Sequence, residues 1–248
     1  MIRRYSAKNG MDASGAPLSK HFQPEKRRNL RKAPYTSYNL YFIIPFIIWI
    51  IFGGCMLLSY DKQTLFAAVN THYSPIGDVL MYNITHMGEG PFIIIVLLVL
   101  IGAASFRNIW YFVAAVMCNA VPALVIQMAK RMAHAPRPLN YFKEASWIHI
   151  TSDWPKLYQN SFPSGHSAGA FSLFCFLSFL LPERYRAFGL LFFAMAISVC
   201  YSRLYVAAHF FADVYAGSVI GCTVTIISFA IMRSLQPRFF SNQDFLTK

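Results

Sequence analysis

From Tyr38 to Leu58 the chain runs without a single charged residue. Helical crossing of bilayer hydrocarbon takes roughly 20 apolar residues, so this run is long enough to span. Five further apolar stretches follow, at Gly90–Ser105, Asn108–Ala129, Ser167–Leu181, Ala187–Ser202 and Asp213–Met232. Backbone polar groups in hydrocarbon must be satisfied within the segment. The six runs therefore predict an all-α fold, a six-span transmembrane helical bundle. The second and fourth runs are short, and each is expected to extend into the interface with less apolar residues. Only 13% of the chain is charged and 56% is hydrophobic, whereas about 25% charged is usual for a soluble domain.

Ahead of the first span, Met1 to Ser37 holds nine Lys or Arg against Asp12 and Glu25, with Pro17, Pro24 and Pro34. This segment reads as a basic tail, either simply solvated or resting on anionic headgroups at about 1 kcal/mol per basic residue. It lacks the apolar core near its start and the small-residue cleavage site of a secretory signal, so the first span is read as a retained anchor. The expected organisation is a basic tail at 1–37, the membrane domain at 38–235 and a short tail at 236–248. If the amino terminus is cytoplasmic, that side collects the nine basic residues of the tail with Arg107, Arg184, Arg186, Arg233, Arg238 and Lys248. Lys62, Lys130, Arg131, Arg137, Lys143, Lys156 and Arg203 fall on the other side. The positive-inside rule then places both termini in the cytoplasm of a plasma (inner) membrane protein and the second group outside.

The net charge of +12 does not make a nucleic-acid binder, because the basic residues show no one-face clustering with interleaved aromatics. Cys55, Cys118, Cys175, Cys200 and Cys222 all fall in proposed spans without metal or redox spacing, and they read as small buried packing residues. No tandem repeat or low-complexity tract is present.

Three short strings lie where the spans meet water. Lys130 and Arg137 end the third span. Either one alone would read as a snorkelling cation, but Pro136 and Pro138 hold the backbone around Arg137 in a turn that aims its guanidinium. An arginine fork offers phosphate two parallel hydrogen bonds and lysine a point charge, so the pair forms a clamp. Pro163-Ser164-Gly165-His166 opens the fourth span: Ser164 can cap the helix, Gly165 lets a ligand approach the backbone, and the free amides there suit an anion. His166 is a candidate proton donor to a leaving oxygen. Ser202-Arg203 ends the fifth span and adds another fork. His209 and Asp213, four apart, share a helical face or straddle a helix start. Asp213 is either a plain helix cap or the carboxylate that orients His209 as a nucleophile, in the manner of a hydrolase triad.

The strings read Lys, six residues, Arg-Pro; then Pro-Ser-Gly-His; then Ser-Arg, five residues, His, three residues, Asp. This pattern resembles, position for position, the signature of the type-2 phosphatidic acid phosphatase superfamily, which includes membrane lipid phosphatases and vanadium haloperoxidases. Asn70 to Gly88, with Asp78 and Thr85, is similar to the family's first outer loop. The resemblance implies that His209 attacks phosphorus to give a phosphohistidine while His166 protonates the leaving oxygen. Lys130, Arg137, Ser164, Gly165 and Arg203 would bind the phosphoryl oxygens, at the outer membrane interface, with no metal and no cofactor.

Six spans favour a phosphorylated lipid as substrate: undecaprenyl pyrophosphate first, then lipid A, phosphatidylglycerophosphate or phosphatidate. Lipid-to-lipid phosphotransfer is the alternative within the enzyme class. A non-catalytic lipid-binding or transport protein is the alternative outside it, although binding alone would not need both histidines and Asp213. A haloperoxidase would be expected as a soluble protein. Between Leu139 and Phe162 lie Tyr141, Phe142, Trp147, Trp154 and Tyr158, read as an interfacial belt or a lid. His134 and His149 read as solvated. Gly217 and Gly221, in GxxxG spacing, are expected to let the sixth span pack closely on a neighbour.

Overall fold

The computed structural model describes residues 37–239 apart from 104, 105, 107, 152 and 153. The expected basic tail lies outside the described residues except for Ser37, as does the carboxy-terminal tail beyond Phe239. Every regular element among the described residues is helical: α1 (Leu40–Ser59), α2 (Lys62–Asn70), α3 (Pro75–Thr85), a 3-10 turn (His86–Gly88), α4 (Gly90–Gly102), α5 (Ile109–Ala133), α6 (Pro138–Tyr141), α7 (Gly165–Phe179), a second 3-10 turn (Glu183–Tyr185), α8 (Phe188–Tyr205) and α9 (Phe211–Phe239).

All six apolar runs are helical, but they are not equal. α1, the Ile109–Tyr141 run, α8 and α9 are long and apolar enough to cross a bilayer. α3 with its 3-10 turn and α4 form a pair bent by 62° that makes a fifth span if counted as one. α7 has 15 residues, about 22 Å of helix at 1.5 Å per residue, against a hydrocarbon core of roughly 30 Å. Length and hydropathy therefore give four or five crossings where the sequence reading counted six. α7 is also the innermost helix. It packs against α5, α8 and α9, and Ala168, Ala170, Phe171, Leu173, Phe174, Cys175, Phe176 and Phe179 are all buried. By contrast no residue of α4 is buried, and Ile44, Ile47, Ile48, Ile51 and Phe52 of α1 are exposed, an apolar surface that only lipid suits.

Local chemistry sets the helix ends. Asn39 caps α1 by accepting from the Tyr41 amide, while its Nδ2 donates to the Ser178 and Arg186 carbonyls. Asn108 accepts from the Trp110 amide to start α5. Across helices, Thr225 Oγ1 donates to the Cys118 carbonyl at 2.8 Å and Trp110 Nε1 to the Met232 carbonyl at 2.9 Å. Tyr38 packs on Phe179 and Phe229, so the start of α1, the end of α7 and the later turns of α9 share one end of the bundle. The end of α5, the end of α8 and the starts of α7 and α9 share the other.

Cys118, Cys175, Cys200 and Cys222 are buried as expected. Cys55 is not: it is exposed, because it lies on the outward face of α1. All five are free thiols.

The GxxxG expectation is met at one helix pair. A Cβ on Gly217 would collide with the carbonyl oxygen of Ser164, and one on Gly221 with that of Ala168, so α9 lies backbone to backbone on α7. Gly221→Ala should therefore cost about 1–3 kcal/mol through overpacking and lower the thermal midpoint of the detergent-solubilised protein. Gly102→Ala, where nothing lies within 4 Å of the added carbon, should leave that midpoint unchanged or raise it.

Candidate active site

The side-by-side starts of α7 and α9 organise the site. Ser164 caps α7 by accepting from the Ser167 amide, and Ser167 Oγ donates to Ser164 Oγ at 3.0 Å. Its backbone amide donates to the Asp213 carbonyl at 2.9 Å. The first amides of a helix have no acceptor within it. With Ser167 capped and the Ala168 amide bonded to the Ser164 carbonyl, the Gly165 and His166 amides remain for an anion.

Arg203 is fully buried. Its Nη1 donates to Thr85 Oγ1 at 2.6 Å, and the Trp154 ring covers its face at 4.5 Å. Nε and Nη2, the edge that grips phosphate bidentately, have no partner. A buried cation with unmade hydrogen bonds is costly, and an oxyanion is the group that completes it. Arg137 is used differently from the free fork expected of it. Nε donates to the Gln159 carbonyl at 2.7 Å, Nη1 to the Ala208 carbonyl at 3.0 Å and Nη2 to the Asn160 carbonyl at 3.5 Å. It ties the loop before α7 to the turn before α9, and two of the five guanidinium N–H groups remain. Lys130 Nζ donates to the Asn160 carbonyl at 3.2 Å.

His209 is 1% exposed and lies in the turn before α9. Asp213 caps α9 and also stands beside His209. Its Oδ2 accepts from the Phe210 amide at 2.9 Å, the reach-back of a capping box, and lies 3.5 Å from His209 Nδ1. Ser161 stands between them: its Oγ donates to Asp213 Oδ2 and lies 3.5 Å from His209 Nδ1. Those 3.5 Å separations are long for a hydrogen bond; unliganded sites commonly tighten on binding. With Nδ1 beside the carboxylate, Nε2 is the ring nitrogen on the opposite edge. Burial first, then the charges of Arg137, Arg203 and Lys130, hold the His209 imidazole well below its ordinary range, so it stays neutral.

His166 Nε2 has no hydrogen-bond partner; its nearest carboxylate oxygen is Glu89 Oε1 at 3.5 Å. Among the described residues no cluster of three His, Cys, Asp or Glu could hold a metal ion. Of the loop aromatics, Tyr141 and Tyr158 are exposed and the other three pack inward. Phe142 and Trp147 pack with Phe66 and Phe210, and Trp154 lies over Arg203. His149 is not solvated either: Nε2 is 2.7 Å from Asp78 Oδ1, its ring stacks on Tyr73, and Asn70 holds its backbone amide. His134 is exposed, with the left-handed backbone (φ 42°) that ends α5.

All eight residues singled out from the sequence thus come together at one end of the bundle. Residues 107–237 match the model of the PAP2 superfamily. The chain belongs to that superfamily. Among solved structures, LpxE from Aquifex aeolicus is 25% identical with a TM-score of 0.59, over 70% of this chain and 98% of that one. The transmembrane PAP2 type phosphatidylglycerolphosphate phosphatase from Bacillus subtilis is 20% identical with a TM-score of 0.55, over 83% of this chain and 99% of that one. No curated relative matches the sequence.

Sequence reasoning passed over Ser161, Glu89, His86 and the stacking of Trp154. Ser161 lies three residues before Ser164, but a serine in a loop carries no signal of its own. Glu89 offered more: it is one of ten acidic residues in the chain and stands at the mouth of an apolar run, where a carboxylate normally serves a site.

Two outcomes follow from this PAP2 superfamily geometry. Arg203→Lys keeps the charge but loses the fork, and should weaken inorganic phosphate or vanadate binding about 10- to 100-fold in calorimetry. The depressed His209 imidazole is neutral when folded and titrates near 6.5 when unfolded. The stability it contributes is complete above that pH and is lost as pH falls toward the folded value. His209→Gln should flatten this part of the pH dependence in thermal unfolding.

Proposed function

We propose that the protein is an integral membrane phosphatase that hydrolyses the phosphate monoester or pyrophosphate of a lipid. The observation that carries this reading is that the Nε–Nη2 edge of Arg203 and the Nε2 of His166 are both buried without a partner, at the end of the bundle where the Gly165 and His166 amides are open. His209 Nε2 attacks phosphorus, the bond to the lipid oxygen breaks, and His166 gives that oxygen its proton. Water then attacks the phosphohistidine, returns a proton to His166 and releases phosphate. Asp213 and Ser161 orient His209 and favour the charge it gains. Lys130, Arg137, Arg203, the Ser164 hydroxyl and the helix amides stabilise the equatorial oxygens, which is the part a metal ion plays elsewhere.

A lipid fits because the leaving-group side of the pocket is not closed. A cleft of about 430 Å³ begins at Gly165 and His166 and descends between α4, α5 and α7 past Gln127, Ala123 and Asn119. The α5 positions alone cover about 12 Å along the helix. The chain that carries the phosphate can therefore lie among the spans while its headgroup reaches the cations. The substrates in view are undecaprenyl pyrophosphate, lipid A, phosphatidylglycerophosphate and phosphatidate. The remaining topology belongs to the same reading: six crossings with α7 as the short one, both termini cytoplasmic and the site facing outward.

Purified protein should release phosphate from at least one of these lipids in detergent, with undiminished turnover in excess chelator. His209→Ala should reduce turnover by about 10⁴-fold or more, in line with loss of a nucleophile, and leave lipid binding measurable. Phosphate passed to an acceptor lipid instead of to water would make the protein a phosphotransferase. Absence of turnover from every lipid would overturn the proposal.

A further inference from the structure

The mechanism asks His166 to be protonated in a place that opposes it. The ring is buried, and the charges of Arg203 from α8, His209 from the turn before α9, Arg137 from the turn after α5 and Lys130 from α5 act on it. It also stands in the first turn of α7, where the helix dipole disfavours a cation. The bound phosphate lessens this, but phosphate leaves in every cycle. Something else must hold positive charge on the ring.

We propose that the Glu89 carboxylate is the counter-charge that keeps His166 in its proton-donating form, a positioning role for the reaction proposed above. Three observations support it. Glu89 Oε1 is 3.5 Å from His166 Nε2. Glu89 occupies the cap position of α4 yet makes no capping hydrogen bond; its side chain turns instead toward His166 and to His86 Nδ1 at 3.1 Å. The backbone is built to bring it there, since a Cβ on Gly88 would lie 2.6 Å from the His166 carbonyl oxygen. Gly88 thus seats the α3–α4 turn directly against the first turn of α7. Glu89 also lines the cleft at its mouth, on the side where the lipid departs. An opposite charge at this range favours the charged form of its neighbour.

Protons balance without Glu89 ever being protonated. In the first step the His209–phosphorus bond forms, the electron pair of the broken bond goes to the lipid oxygen, and the His166 proton follows it. In the second step the attacking water gives its proton to His166 as the nitrogen–phosphorus bond breaks. Glu89 remains a carboxylate throughout, with His86 beside it and the Arg203 charge also in its field.

The test is Glu89→Gln, with wild type and His209→Ala in parallel, assayed across pH on a lipid phosphate monoester and on p-nitrophenyl phosphate, whose leaving group needs no proton. Glu89→Gln should lose about tenfold or more in kcat on the lipid. Its alkaline limb should move down by about one pH unit, while p-nitrophenyl phosphate turnover stays within about twofold. Inhibition by inorganic phosphate should be as strong or stronger, because a negative charge has gone from beside the anion site. Equal losses on both substrates, an unmoved alkaline limb or weakened phosphate inhibition would each overturn the proposal in favour of a structural role. Turnover that requires His209 but is indifferent to Glu89 would overturn it alone. Turnover that survives His209→Ala would overturn the phosphohistidine reading and this inference with it.

Discussion

The close contact of α9 on α7 is the constraint from which the site follows. Glycine at 217 and 221 removes the side chains that would hold the two helices apart. Because α7 and α9 begin at the same end, that contact sets the start of one against the start of the other, and the Ser164 amide bonds the Asp213 carbonyl at 2.9 Å. The first turn of α7, with its open amides, and the His209–Asp213 pair are then neighbours by construction. In hydrocarbon the hydrophobic effect does not drive helices together, so small residues that permit backbone approach carry this burden.

Concentrating cations around such a contact is costly, and the fold offsets it with carbonyl groups. Arg137 spends three donors on the Gln159, Asn160 and Ala208 carbonyls, Lys130 joins it on Asn160, and Thr85 takes one donor of Arg203. Those bonds fix the loops at the same time, so the charges that would receive phosphate also hold the walls of the pocket. The buried Nε–Nη2 edge of Arg203 has no partner among the described residues, and an edge held rigid before a ligand arrives needs no reorganisation when charge develops.

What was legible in the sequence divides along the same line. Charge and apolarity at the ends of long runs exposed Lys130, Arg137, Ser164, Gly165, His166, Arg203, His209 and Asp213, and the six apolar runs are helices. The apolar pattern could not show that α7 is too short for an ordinary crossing, because burial by α5, α8 and α9 is a property of the assembled bundle. Nor could it show α2 and α3: Phe66, Asn70 and Thr85 are buried in segments too polar to stand out. His149 looked solvated because its partners, Asp78 and Tyr73, lie about seventy residues away in sequence. Ser161 and Glu89 gain their meaning only from positions that long-range packing gives them.

That division has a mechanistic reason. In-line displacement at phosphorus needs nucleophile and leaving group on opposite sides of the pocket, and the two sides differ in what they must exclude. His209 is buried in the turn that Arg137 ties down, with Asp213 and Ser161 beside it, so its imidazole is held in place. His166 looks the other way, toward Glu89 and the cleft among α4, α5 and α7, where α4 has no buried residue to close the gap. One wall is tied down by side-chain hydrogen bonds; the other is left open beside α4, as the proposed lipid hydrolysis would require. The bent α3–α4 pair, with Gly88 pressed on α7 and Glu89 at the bend, joins that opening to His166.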